Sequence, residues 1–200
     1  MNESTPRAVP PPLDLPAERT RQGQLLDAVG DELAPVVSTA ESFLLEGGKR
    51  LRPAFAYWGY RGAGGVDNPG VITAVASLEL LHACALIHDD LMDGSDTRRG
   101  LPSVHRSFAG MHREEQWVGD PESFGMSAAI LLGDLALVWA DQMFHEADLD
   151  PEAIIRAQRL YDEMRVELMA GQYLDVLEQS LATQSVERSL RVARYKSGKY

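Results

Sequence analysis

Residues 82–100 read HACALIHDDLMDGSDTRRG. Three carboxylates, Asp89, Asp90 and Asp93, and two guanidinium groups, Arg98 and Arg99, close an apolar run. On a helix turning 100° per residue, Asp89 and Asp93 share a face one turn apart, and Asp90 points about a quarter-turn aside. Carboxylates this close repel, and near a helix C-terminus the backbone dipole opposes them as well. Two adverse effects at one place require a compensating cation. Hard oxygen donors suit Mg²⁺, which keeps part of its water and shares its shell with phosphate oxygens. The competing account is a solvated acidic helix end neutralised by Arg98 and Arg99. Ala83, Ala85, Leu86 and Ile87, with Cys84 acting as a small apolar residue, tilt the balance towards the metal, because they set the acids at the mouth of an apolar stretch. Asp96 joins the cluster if the helix or its first loop turn continues. His82 lies seven residues before Asp89 and so shares its face two turns earlier. His88 is offset by 100° and suits packing or a nearby hydrogen bond.

Basic residues are grouped too. GGKRLRP, residues 47–53, supplies Lys49, Arg50 and Arg52 behind two glycines that let backbone approach a ligand closely. Arginine forks match phosphate oxygens, and lysine adds a point charge. Arg98 and Arg99 form a second group, and RYKSGKY at 194–200 offers Lys196 and Ser197. In a chain of net charge −11, local basic groups need local reasons. Phosphate heads held by cations beside an apolar run describe a substrate with an anionic head and a hydrocarbon tail.

These residues need helices to position them. Of the 200 residues, 44% are hydrophobic, enough for a sizeable core. The acidic balance excludes a general nucleic-acid binder. Cys84 is the single cysteine, so no intrachain disulfide is expected, which fits a cytoplasmic location. Five prolines in the first sixteen residues predict a disordered Pro-rich tail over 1–20, with no apolar signal segment. No uninterrupted apolar run approaches the ~18 residues of a membrane span, so none is expected. Apolar spacing of three and four predicts helices over about 21–46, broken near Gly30 and Pro35, and over 50–61, 69–94, 126–147 and 151–180. Asn68-Pro69 and Asp150-Pro151 read as helix starts, and Ser185 as the cap of a last helix. Residues 107–125 read as a polar, mobile loop. Period-two alternation is nearly absent, which predicts an all-α bundle over 21–200.

GGKRLRP, ELLHACALIHDD, DDLMD with GSDTRRG, LLGDLAL, GQYLD and KSGKY follow one another in this order. Over about 47–200 the chain resembles the trans-isoprenyl diphosphate synthases, or polyprenyl synthetases, of the geranylgeranyl diphosphate synthase-like kind. The resemblance implies packed helices around a deep central cavity, a homodimer, and Mg²⁺-dependent joining of isopentenyl diphosphate to an allylic diphosphate. By matching position it assigns Lys49, Arg52 and His82, assisted by Arg99, to isopentenyl diphosphate. Asp89 and Asp93, supported by Asp90, fall to Mg²⁺. Arg98, Lys196 and Ser197 fall to the allylic diphosphate, and Gln172 and Asp175 to the wall of the metal site. Bulky residues four or five places before the first aspartate close the family's cavity floor. Here Ala85 and Cys84 are small and Leu81 is the candidate floor, so geranylgeranyl diphosphate is the expected product, and Cys84→Phe is expected to shorten it. The family's second aspartate-rich motif does not occur among these residues, so 21–200 corresponds to a partial synthetase domain without its C-terminal helices, and the expectation is that ionisation is impaired in this chain alone. The alternatives are a non-catalytic prenyl-diphosphate-binding or regulatory subunit, and a class I terpene cyclase. GGKRLRP argues against the cyclase, which needs no site for a second diphosphate. A histidine- and aspartate-ligated phosphohydrolase would need upstream histidines beyond His82.

Overall fold

The computed structural model describes residues 24–45, 47–181 and 185–200; the tail expected over 1–20 lies outside them. A helical turn and a short 3₁₀ segment, Asp31–Leu33, lead into α1 (Ala34–Leu45). Then come α2 (Leu51–Gly62), α3 (Pro69–Met92), a small hairpin of β1 (Thr97–Arg98) and β2 (Leu101–Pro102), α4 (Val104–Glu114), α5 (Pro121–His145), α6 (Pro151–Leu181) and α7 (Val186–Val192). A π-helical turn, Ala193–Gly198, follows α7. The class is all-α, as the helical periodicity predicts.

The starts of four helices follow from side chains that accept orphan backbone N–H groups. Asn68 Oδ1 accepts from Val71 N at 3.0 Å and Asp150 Oδ2 from Ala153 N at 3.1 Å, each with proline at the first helical position. Asp120 Oδ2 accepts from Ser123 N at 3.0 Å before Pro121, which begins α5 five residues earlier than its apolar pattern suggests. Ser185 Oγ accepts from Arg188 N and starts α7 as expected. The break near Gly30 is present, whereas Pro35 sits in the first turn of α1 and interrupts nothing.

The expected loop over 107–125 is corrected by α4. Val104, Phe108 and His112 recur every four residues and are buried, with His105 and Ala109 beside them. Two histidines in that stripe disguise it as polar. Phe124 and Trp117 close edge-on over His112 and Phe108, so aromatic contacts hold α4 against the start of α5.

The described chain forms two compact units. One takes the residues up to Cys84 with Leu132–Asp148; the other takes Ala85–Leu131 with Leu149–Tyr200. Helices α3 and α5 pass from one to the other. In the first unit, Ala83, Cys84 and Ala136 make a small buried cluster against Phe43, Leu44 and Leu137. In the second, Ile87, Val104, Phe108, Ala129 and Leu168 are buried.

Contrary to the expectation that no segment would qualify, α3 and α5, of 24 and 25 residues, are long and apolar enough by length and composition to cross a membrane. Counting uninterrupted apolar runs misses them, because a helix averages over one or two charges such as Glu79 or Asp134. Most of the apolar stretch of α3 is buried within the protein, as in a core helix.

Candidate functional site

The acidic cluster lies in the second unit, at the C-terminal end of α3. Its three aspartates have three different sets of partners. Asp90 is 1% exposed and is gripped by Arg98, whose Nε donates to both carboxylate oxygens at 2.9 and 3.0 Å and whose Nη2 also donates. That bond raises the Arg98 pKa above its ordinary value. Arg98 reaches Asp90 because it leads into a two-residue hairpin. Arg99 and Gly100 both have positive φ, 54° and 83°, as the tight turn matching strand twist requires. A non-glycine residue in that conformation is costly, and it holds Arg99 exposed at the tip.

Asp89 is part-buried and faces α6 and the π-turn Ala193–Gly198. Its Oδ1 accepts from Gln172 Nε2 at 2.8 Å and from Lys196 Nζ at 2.9 Å. The same ammonium donates to Asp175 Oδ2 at 2.6 Å. Burial works against the Lys196 charge, but the hydrogen bonds it donates to Asp175 and Asp89 outweigh it and raise the pKa above the usual lysine value. Asp93 is exposed and accepts from Gln179 Nε2 at 3.3 Å. Asp96 does not join the cluster; it pairs with Arg106 at 2.7 Å. His88 is hydrogen-bonded to the Ile130 carbonyl at 3.2 Å, a packing role. Ser197 is exposed one residue beyond Lys196.

Gln179 is the site residue that the sequence reading missed. Its signal is a register: Gln172, Asp175 and Gln179 recur at three and four on α6, opposite Asp89 and Asp93 spaced by four on α3. Among the described residues, no three or more His, Cys, Asp or Glu side chains converge into a metal shell.

The first unit holds the other expected residues. Arg52 Nη1 donates to His82 Nε2 at 3.2 Å, which fixes the imidazole proton on Nδ1. Lys49 is exposed in the segment after Gly47 and Gly48, both at φ 89°. Arg50 is committed elsewhere. It caps the start of α2 at φ 51°, pairs with the buried Glu79 and donates to the Leu44 carbonyl. Thus the middle cation of GGKRLRP is a structural fastener. Leu81 and Cys84 are buried and Ala85 is partly so. Burial pushes the Cys84 thiol up to about 11, with the Asp134 charge adding to the effect.

The all-α arrangement that positions this aspartate-rich helix end is the fold of isoprenyl diphosphate synthases. The sequence profile of the Polyprenyl synthetase family matches residues 34–200, and the chain belongs to that family. It is 32% identical to a geranylgeranyl diphosphate synthase of Methanosarcina mazei over 76% of this chain and 43% of the relative. It is also 32% identical to a nonaprenyl diphosphate synthase of Mycobacterium tuberculosis, over 89% of this chain and 47% of that one. A geranylgeranyl pyrophosphate synthase structure from Corynebacterium glutamicum, complexed with isoprenyl diphosphate and magnesium, matches with a TM-score of 0.84 at 44% identity, over 92% of this chain and 55% of that one. The chain spans about half the length of these relatives.

Proposed function

We propose that this protein is a prenyltransferase that condenses isopentenyl diphosphate with an allylic diphosphate in a Mg²⁺-dependent reaction. In this reading geranylgeranyl diphosphate is the product and the working form is a cytoplasmic homodimer. One observation carries the proposal: Asp89 and Asp175, on separate helices, converge on a single cationic point, Lys196 Nζ.

The donor set fits Mg²⁺. The acids offer hard oxygens with no histidine or cysteine among them. Mg²⁺ takes one or two carboxylates and completes its shell with water and phosphate oxygens, so it does not require a preformed cage of three acids. Asp89 and Asp93 would hold it, with Asp90 in support. When bound, the ion stabilises the charge that grows on a departing diphosphate.

The chain's own residues do the rest. Arg98, Lys196 and Ser197 bind the allylic diphosphate, and the two cations offset its charge as the C–O bond breaks. Gln172 orients Asp89, and Asp90 orients Arg98. Lys49, Arg52 and His82 bind isopentenyl diphosphate, with Arg99 assisting. The carbocation must be shielded from water, which is why the residues before the acids, Leu81, Cys84 and Ala85, are apolar. The small size of Cys84 and Ala85 supports a product longer than farnesyl diphosphate, with Leu81 as the floor. The alkene attacks the cation, and the released diphosphate takes the proton that leaves, so no protein base is needed.

The test is titration calorimetry with a non-reactive allylic thiolodiphosphate, with and without Mg²⁺, beside an assay for consumption of isopentenyl diphosphate. Binding should require Mg²⁺ and fall roughly 100-fold in Asp89→Ala. Uptake that ignores Mg²⁺ and Asp89 would remove the proposal. Mg²⁺-dependent binding without consumption would replace the transferase with a prenyl-diphosphate-binding subunit.

A further inference from the structure

We infer that Gly171 is a positioning residue. Its missing side chain lets the π-turn Ala193–Gly198 dock on α6 and so places Lys196 between Asp89 and Asp175. The inference rests on the reading of Lys196 as a diphosphate ligand, but the docking itself is a matter of backbone geometry.

Gly171 is buried in the long helix, one residue before Gln172 and one turn before Asp175. A Cβ built there would stand 2.5 Å from the Tyr195 carbonyl carbon and 2.8 Å from Lys196 Cα, and nearer still to the Lys196 nitrogen. All three are main-chain atoms, which cannot rotate away as a side-chain tip can. Ordinary contact begins at 3.4 Å, so any side chain at 171 must push the turn back by about 1 Å. The Lys196 ammonium makes its two bonds at 2.6 and 2.9 Å, and a displacement of about 1 Å takes such bonds past the useful limit.

The turn has little freedom to compensate. It is closed by a π-type bond from Lys199 N to the Arg194 carbonyl at 3.0 Å, and Lys199 Nζ is tied to Glu167, one turn before Gly171 on α6. The seat at 171 and the tie at 167 therefore act on the turn and on the residue that closes it. A π-turn is an uncommon conformation that recurs where a side chain must be aimed. Here the one aimed is Lys196. No other glycine on α6 could provide this seat, since Gly171 is the helix's single glycine.

The experiment uses the 200-residue chain and two readouts. Hydrogen exchange by mass spectrometry follows the amides of 193–200. Titration with magnesium pyrophosphate follows the site. Gly171→Ala should deprotect those amides and weaken pyrophosphate binding roughly 10- to 100-fold, the effect of misplacing a ligand by about 1 Å. Lys196→Ala should weaken binding similarly, and adding Gly171→Ala to it should cost little more, because the seat acts through the lysine. Arg194→Pro, which breaks the turn from its own side, should reproduce the Gly171→Ala result and carries the test if that variant does not fold. Unchanged exchange and binding in Gly171→Ala would overturn the inference. So would an equal loss in the presence and absence of Lys196, which would make Gly171 a packing residue only. If no form of the chain binds magnesium pyrophosphate, the functional reading fails while the exchange arm still decides the seating.

Discussion

Removing the Arg98 side chain tests the most deeply buried charge of the site. Asp90 is 1% exposed, whereas Arg98 is 30% exposed, so Arg98→Ala leaves a carboxylate with little access to water and its main cation gone. Breaking such a pair from one side costs about 3–5 kcal/mol. Water admitted through the space left by Arg98 lowers the expectation to about 3 kcal/mol. In a chain of this size that is a fall in Tm of about 6–12 °C. Arg98→Lys should lose about half as much, since an ammonium cannot reproduce the forked contact with both oxygens. The double variant Asp90→Leu/Arg98→Met should recover most of the loss, because replacing both partners removes the desolvation cost with the attraction. Urea unfolding followed by circular dichroism reads all three. Should Arg98→Ala stay within ~0.5 kcal/mol of the parent, the pair would not be bearing a buried charge and the argument would be wrong.

Cys84 gives a pH signature. Its folded pKa, raised to about 11 from 9.0, means that the native state holds the thiol proton where the unfolded chain has lost it. The contribution is intact below pH 9 and falls between pH 9 and 11, by up to about 1.4 kcal/mol per pH unit. Cys84→Ala should flatten that window in urea titrations, and in the parent the native thiol should react with a disulfide reagent at pH 8 far more slowly than after unfolding. Arg50→Ala should destabilise by about 3 kcal/mol by stranding Glu79. Arg50→Gly should be about 1 kcal/mol milder, because glycine takes φ 51° without strain; equal losses would show that the backbone conformation at 50 relaxes in both.

Local chemistry alone determined the all-α class, the starts at Asn68, Asp150 and Ser185, and the grouping of Asp89, Asp90 and Asp93, because caps and charge spacing act over one or two turns. The stripe of α4 was hidden in the sequence, since His105 and His112 are buried there against neighbours that no pattern of polarity announces. Which cation serves which acid was decided only by the tertiary structure. Arg50 and Arg52 are two residues apart, yet one is spent on Glu79 and the other meets His82. Lys196 reaches Asp89 across more than a hundred residues, and only because α6 is bare of a side chain at Gly171. Such pairings depend on where separate helices pack, and helix packing is a property of the folded chain rather than of any local stretch of it.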